Sequence, residues 1–193
     1  MTGVQTCALP ICATSLGTTS ALTSLTVTGG DFTGDLRVLG GTGAITISAL
    51  RGIGGNITGG TINAARIASL IVGKNIASST ILAGADLGAD HALGGIGLAV
   101  DTFGRGVIGP VAIGGAVTAS VLGAGLNPTD GIFHNSPTNN DTIVAGIASR
   151  IAALTIRGTA SADSYFAAGR FLAPVKIAGA TVVPRLDSRF LVV

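Results

Sequence analysis

The sequence predicts an all-β chain, a parallel β-helix (β-solenoid) fragment with coils of about 20 residues, and three observations carry that expectation. The first is a repeat. Ile67–Gly84 returns as Ile108–Gly125, with Ile67 and Ile108, Val72 and Ile113, Ser79 and Ser120, and Gly84 and Gly125 each 41 positions apart. A third copy opens at Ile151 and closes on Ser164-Tyr-Phe-Ala-Ala-Gly169, so Ser-x-apolar-x-Ala-Gly occurs at Ser79, Ser120 and Ser164. Self-similarity at a fixed period marks units that bury their apolar faces against one another. The second is alternation: Leu25-Thr-Val27, Leu36-Arg-Val38, Ile45-Thr-Ile47, Leu70-Ile-Val72, Val111-Ala-Ile113, Leu154-Thr-Ile156 and Val175-Lys-Ile177 all place apolar side chains two apart. That is the period of a strand with one buried face. The third is punctuation by glycine pairs, from Gly29-Gly30 to Gly114-Gly115, which supply the backbone freedom of tight corners.

The N-terminal residues stand outside this pattern. Thr2–Ile11 is the translation of ACT GGA GTT CAG ACG TGT GCT CTT CCG ATC, and resembles a common short-read sequencing adapter read in frame. A signal peptide is the rival reading, but there is no basic n-region, and Gln5, Thr6 and Pro10 interrupt any apolar core. Residues 1–12 are therefore expected to be non-native and outside the fold, and residues 13–193 to be a repeat region truncated at its N-terminal end. Both cysteines, Cys7 and Cys12, fall in or next to that segment, so the remainder has no disulfide or thiolate chemistry.

Composition narrows the class further. All nine acidic residues are Asp and there is no Glu; nine Arg accompany only Lys74 and Lys176. Charged residues are 10% and hydrophobic residues 47%, the reverse of a disordered chain. Glu, Lys and Gln, the usual surface helix formers, are nearly absent. A net charge of +2 with Arg scattered along the chain predicts no basic stripe and no nucleic-acid partner. The uncharged run from Val107 to Leu126 is long enough for a membrane span. Its repeat equivalents carry Lys74, Asn75, Arg157 and Asp163, and Pro110 sits inside it, so no span is expected.

From Leu22 onward the strands follow one another, Val, Ile and Thr suiting a pleated surface. Strand starts recur at about half the offset between repeat copies. Pro110-Val-Ala-Ile-Gly-Gly-Ala returns as Pro174-Val-Lys-Ile-Ala-Gly-Ala, roughly three such spacings further on. Inward Ile, Leu and Val would stack coil on coil, with Thr, Ser, Arg and Asp outside. A β-sandwich is the alternative, but it requires no echo of one motif in register.

Two stretches break the rhythm, and each follows an Ala-Gly that ends a repeat. Gly84–Gly106 carries Asp86, Asp90, His91, Asp101 and Arg105; Asn127–Asp141 is the most polar piece of the chain. Insertions in repeat proteins gather on one face, often the binding face. The binding-loop candidates are therefore Asp130, Phe133, His134, Asn139 and Asn140. Asp86 with Asp90, or Asp130 with Asn139, Asn140 and Asp141, offer hard oxygen ligands for calcium; turn-capping by short Asx side chains is the reading preferred. Otherwise no cofactor is expected.

No catalytic residue can be assigned. Gly104-Arg-Gly106-Val-Ile-Gly109 fits a dinucleotide fingerprint only if a helix follows, and Pro110 with another alternation follows instead. His91 and His134 have no Cys, Glu or second His nearby for zinc. Polysaccharide cleavage would need paired carboxyls, with Asp86, Asp90, Asp101 or Asp130 converging in one groove.

Ile-x-x-Leu-x-Val-Gly, Ser-x-Ile-x-Ala-Gly, Asp-Leu-Gly-x-Asp and Asn-Pro-x-Asp-Gly together resemble the Gly/Ala/Ser/Thr-rich β-strand-repeat surface proteins of bacteria, over about Leu22–Val182. The resemblance implies an adhesin-like or autotransporter-passenger-like β-solenoid, extracellular or on the cell surface, and non-catalytic. It implies a rigid stalk presenting polar loops to a glycan or another surface protein, next to further coils of a longer chain. The family defines no catalytic residues, so none carries over. The alternative is a polysaccharide-active β-helix lyase or hydrolase.

Overall fold

The computed structural model describes residues 4–7, 16–18, 21–48, 51–97, 100–134 and 140–193. These residues are all-β with parallel sheets; helix is confined to short 3₁₀ turns such as Gly146–Ala148 and Pro184–Leu186. No helix among them is long and apolar enough to cross a membrane. The run from Val107 onward forms strands at Val107–Ile113, Val117–Thr118 and Val121–Ala124.

Two long sheets face each other. The first runs in the order Val4–Cys7, Leu22–Thr28, Thr42–Ser48, Ile67–Val72, Val107–Ile113, Arg150–Ile156 and Val175–Ile177, all parallel, and ends in antiparallel Ala180–Val182. The second runs Leu16–Thr18, Asp35–Val38, Thr61–Ala64, Thr80–Ala83, Val121–Ala124, Tyr165–Ala168 and Phe190–Val192, parallel throughout. A short third sheet of Ile57–Thr58, Ile76–Ala77 and Val117–Thr118 fills the corner between them. Each pass of the chain thus contributes one strand to each long sheet. Val4–Cys7, inside the adapter-like segment, runs beside Ser24–Val27 as the first of these strands.

The register explains the repeat. Leu25 pairs with Ile45 and Thr155 with Lys176, short steps that match one expected pass. Ile45 pairs with Leu70 after a slightly longer step. Leu70 pairs with Val111 and Val111 with Leu154, and each of these steps is about twice as long as the first. The offset between repeat copies is therefore one step between neighbouring strands, not two. An excursion nearly as long as a whole pass is inserted between the second-sheet strand of one pass and the first-sheet strand of the next. Coils of about 20 residues would make that offset two passes; the inserted excursion makes it one.

Alternation puts one side chain in two into the core. Leu25, Ile45, Leu70, Val111 and Leu154 form one column in register, and Val27, Ile47, Val72, Ile113, Ile156 and Ile177 a second, none more than 6% exposed. Across from them stand Leu36, Ile62, Ile81, Leu122 and Phe166. Burying each such side chain contributes about 1.5–3 kcal/mol, so the columns supply the main stabilising term.

The corners have ladders of their own. Ser79 and Ser120 are buried just ahead of paired strands on neighbouring passes. The Ser79 N–H donates to the Ser120 hydroxyl (3.1 Å), the Gly60 N–H to the Ser79 hydroxyl (3.3 Å), and each hydroxyl donates to the carbonyl two residues before it. At another corner Asn75 donates to Asn56 Oδ1, Asn56 donates to Asp31 Oδ1, and Ala116 N–H donates to Asn75 Oδ1. Ser79 and Ser120 are thus acceptors for the main chain of the neighbouring pass, whereas Ser164 donates to the Val117 carbonyl (3.2 Å).

Candidate functional site

Both polar excursions leave from a glycine in the left-handed region, Gly84 (φ 80°) and Gly125 (φ 70°), at equivalent places in the repeat. Each opens as a short antiparallel pairing, Ala85–Asp86 with Thr102–Phe103 and Leu126–Pro128 with Asp141–Ile143. Among the described residues neither projects freely. Leu82, Ala85, Leu87, Leu126, Ile143, Tyr165 and Ala167 make a second buried cluster, with Leu93, Phe103 and Phe133 packed against it. The excursions therefore cover the outer face of the second sheet, where Thr80–Ala83 and Tyr165–Ala168 are apolar on both sides.

In the first excursion Asp86 accepts two parallel bonds from Arg37, at 2.5 and 2.8 Å, and a third from the Gly88 N–H. The guanidinium bond is the main reason the Asp86 carboxyl is held below its ordinary range. Asp90 accepts from the Ala92 N–H (3.2 Å) and Asp101 from the Gly94 N–H (2.7 Å). Burial raises the Asp101 pKa, with repulsion from Asp90 and Asp86 adding to it, and its buried Oδ1 has no hydrogen-bond partner among the described residues. Asp86, Asp90 and Asp101 thus lie in one excursion, and the first two raise the Asp101 pKa by repulsion.

All five binding-loop candidates fall within the second excursion. Asp130 is exposed and accepts from the Ile132 N–H; Asn140 is exposed, and its carbonyl accepts from Thr129. Phe133 and His134 are half-buried. The His134 ring stacks on Tyr165 with centroids 4.4 Å apart, and the His134 main-chain N–H donates to Asp141 Oδ2 (2.9 Å). Burial pushes the Asp141 carboxyl up, against the pull of the His134 N–H and the Tyr165 hydroxyl. The structure brings Phe133, His134 and Asp141 together over buried Tyr165, leaves Asp130 and Asn140 on the outside, and Asn139 lies outside the described residues.

Two general features decide what these residues can do. Every one of the nine aspartates accepts a main-chain N–H: Asp31 from Asn56, Asp35 from Thr61, Asp163 from Ala119 and Asp187 from Arg189, besides those above. Several of these partners are two residues away, the Asx-turn geometry that Asp reaches and the longer Glu does not. Among the described residues no group of three or more His, Cys, Asp or Glu is placed to share a metal ion.

One cluster was missed by sequence reasoning. Arg66, Arg105 and Arg150 line a single cleft of about 270 Å³ with Gly40, Ala65 and Val107. The expectation of no basic stripe overlooked that Arg66-Ile67 and Arg150-Ile151 open two copies of the repeat, so stacking brings them to one edge. Next to it lies a hollow of about 410 Å³ that shares Ala65 and Arg105 and adds Asp86, Thr102 and Phe103. The Gly104–Gly109 stretch enters strand Val107–Ile113 and opens no helix. No protein-family model, curated protein or solved structure matches the chain.

Proposed function

We propose that this chain is a β-solenoid scaffold, a non-catalytic structural stretch of an exported bacterial surface protein, whose work is to hold a rigid surface in place. The observation that carries the reading is the engagement of all nine aspartates with main-chain N–H groups. A hydrolase or lyase needs carboxyls aimed at substrate; here the carboxyls organise loops. In-register columns, corner ladders of Ser and Asn, and the long run of successive parallel strands support the solenoid form. The exposed part of the second excursion, around Asp130 and Asn140, is the surface such a scaffold presents to a glycan or another surface protein.

The polysaccharide-active alternative keeps one observation in its favour. Asp101 is raised while nearby Asp86 is lowered, the divergence expected of an acid and its partner. Incubating the chain with neutral and acidic polysaccharides separates the two. The scaffold reading expects no new reducing or unsaturated ends. Product formation that disappears in Asp101→Asn would replace it with the enzyme.

A further inference from the structure

We infer that the cleft framed by Arg66, Arg105 and Arg150 is a binding site for an acidic polysaccharide, held through its carboxylate or sulfate groups. Val107 pairs with Arg150, and Ile108 with Ile67 and Ile151, so Arg66, one residue ahead of strand Ile67–Val72, and Arg150, the first residue of its strand, stand at equivalent positions either side of Val107. Their backbones stand two strand spacings apart, about 10 Å. Arg170 continues the row, paired with Arg150. Arg105 enters the same cleft from the end of the first excursion.

These arginines differ from the others that the fold uses. Arg37 and Arg189 are each locked to an aspartate by two bonds. Arg66, Arg105 and Arg150 make no side-chain hydrogen bond or ion pair among the described residues, and Arg66 and Arg105 are exposed. Gathering three unpaired guanidiniums in one cleft is unfavourable unless an anion joins them. The guanidinium fork matches a planar carboxylate or a sulfate with two parallel bonds. The adjoining hollow offers the half-buried Phe103, with Leu39 and Ala65, as an apolar wall for a sugar ring.

The row of positive charge runs across the strands, which suits a linear polymer. Nucleic acid fits less well. Single strands are held by successive aromatic platforms, and among the described residues Phe103 is the one aromatic lining either hollow. This inference does not rest on the scaffold reading, because an enzyme would hold an acidic substrate in the same cleft.

The test is calorimetric titration of the full chain with polygalacturonate, heparin, dextran and oligo-dT, at low and at physiological salt. Binding of an acidic glycan, weakened by salt, with dextran inert, is the expected result. Combining Arg66→Gln, Arg105→Gln and Arg150→Gln should reduce affinity by roughly tenfold or more. Arg51→Gln, an exposed site elsewhere, should leave affinity unchanged, and unaltered circular dichroism ties the loss to charge. Arg105→Gln alone, at an exposed residue between two glycines, should weaken binding severalfold and serves if the triple variant misfolds. Undiminished binding by these variants, failure to bind either acidic glycan, or oligo-dT bound as tightly as the glycans overturns the assignment.

Discussion

Arg37 grips Asp86 through two parallel N–H···O bonds between distant parts of the sequence, and so ties the root of the first excursion to the outer face of the second sheet. Both side chains are 22% exposed, which places the pair between a surface contact and a buried one. Arg37→Met should therefore cost about 1–2 kcal/mol at neutral pH, read by urea unfolding. Asp86 has a lowered pKa, so its stabilisation is present above the unfolded value near 3.9 and is lost as pH falls through the folded value. The gap between wild type and variant should close in strong acid. A constant gap down to that range would show that packing, not charge, holds the excursion.

Asp141 behaves in the opposite sense. Its pKa is raised by burial, so the folded state is penalised when the carboxyl ionises, and stability falls as pH rises from about 4 through the raised value. Asp141→Asn keeps an acceptor for the His134 N–H and removes the buried charge. It should stabilise the chain at neutral pH, with the gain fading toward about pH 4. Thermal melts across that window check it; an Asn variant that is less stable at every pH defeats the argument.

Ser120 tests the corner ladder. It is 2% exposed and accepts the Ser79 N–H, so Ser120→Ala leaves a buried donor without its partner. The expected loss is about 1–3 kcal/mol, against less than about 0.5 kcal/mol for Ser78→Ala at an exposed position nearby in the repeat. Equal losses at the two sites would mean that the repeated serine is incidental.

Gly125 and Gly131 separate crowding from backbone strain. Both have positive φ, 70° and 79°. A Cβ at Gly125 would lie 2.2 Å from Ser149 Oγ, whereas among the described residues nothing lies within 4 Å of one at Gly131. Gly131→Ala should cost only the left-handed penalty, about 1–2 kcal/mol, and Gly125→Ala clearly more. Denaturation midpoints of the two variants give the comparison directly.

Much of this was legible from spacing. Alternations such as Ile45-Thr-Ile47 and Leu154-Thr-Ile156 became inward columns, and Ser79, Ser120 and Ser164 came to precede successive strands of the second sheet. What the spacing concealed was depth. Ile81-Leu-Ala83 and Tyr165-Phe-Ala-Ala168 carry no alternation, which signals burial on both faces, and this is why the polar excursions lie down instead of standing out. The aspartates gave a compositional sign, all Asp and no Glu, of capping roles. Arg66, Arg105 and Arg150 are far apart along the chain, and only strand register brings them together.

The register from Leu70 to Val111 to Leu154 survives even though the path between strands has roughly doubled in length. Doubling a closed loop adds only about 0.6 kcal/mol of chain entropy. Each turn of the chain is thus an elastic address: new segments can be spliced between the second sheet and the first at small thermodynamic expense, provided they bring apolar residues to settle on Leu82, Gly123 and Ala167. Length variation during descent should accumulate there and spare the columns beneath.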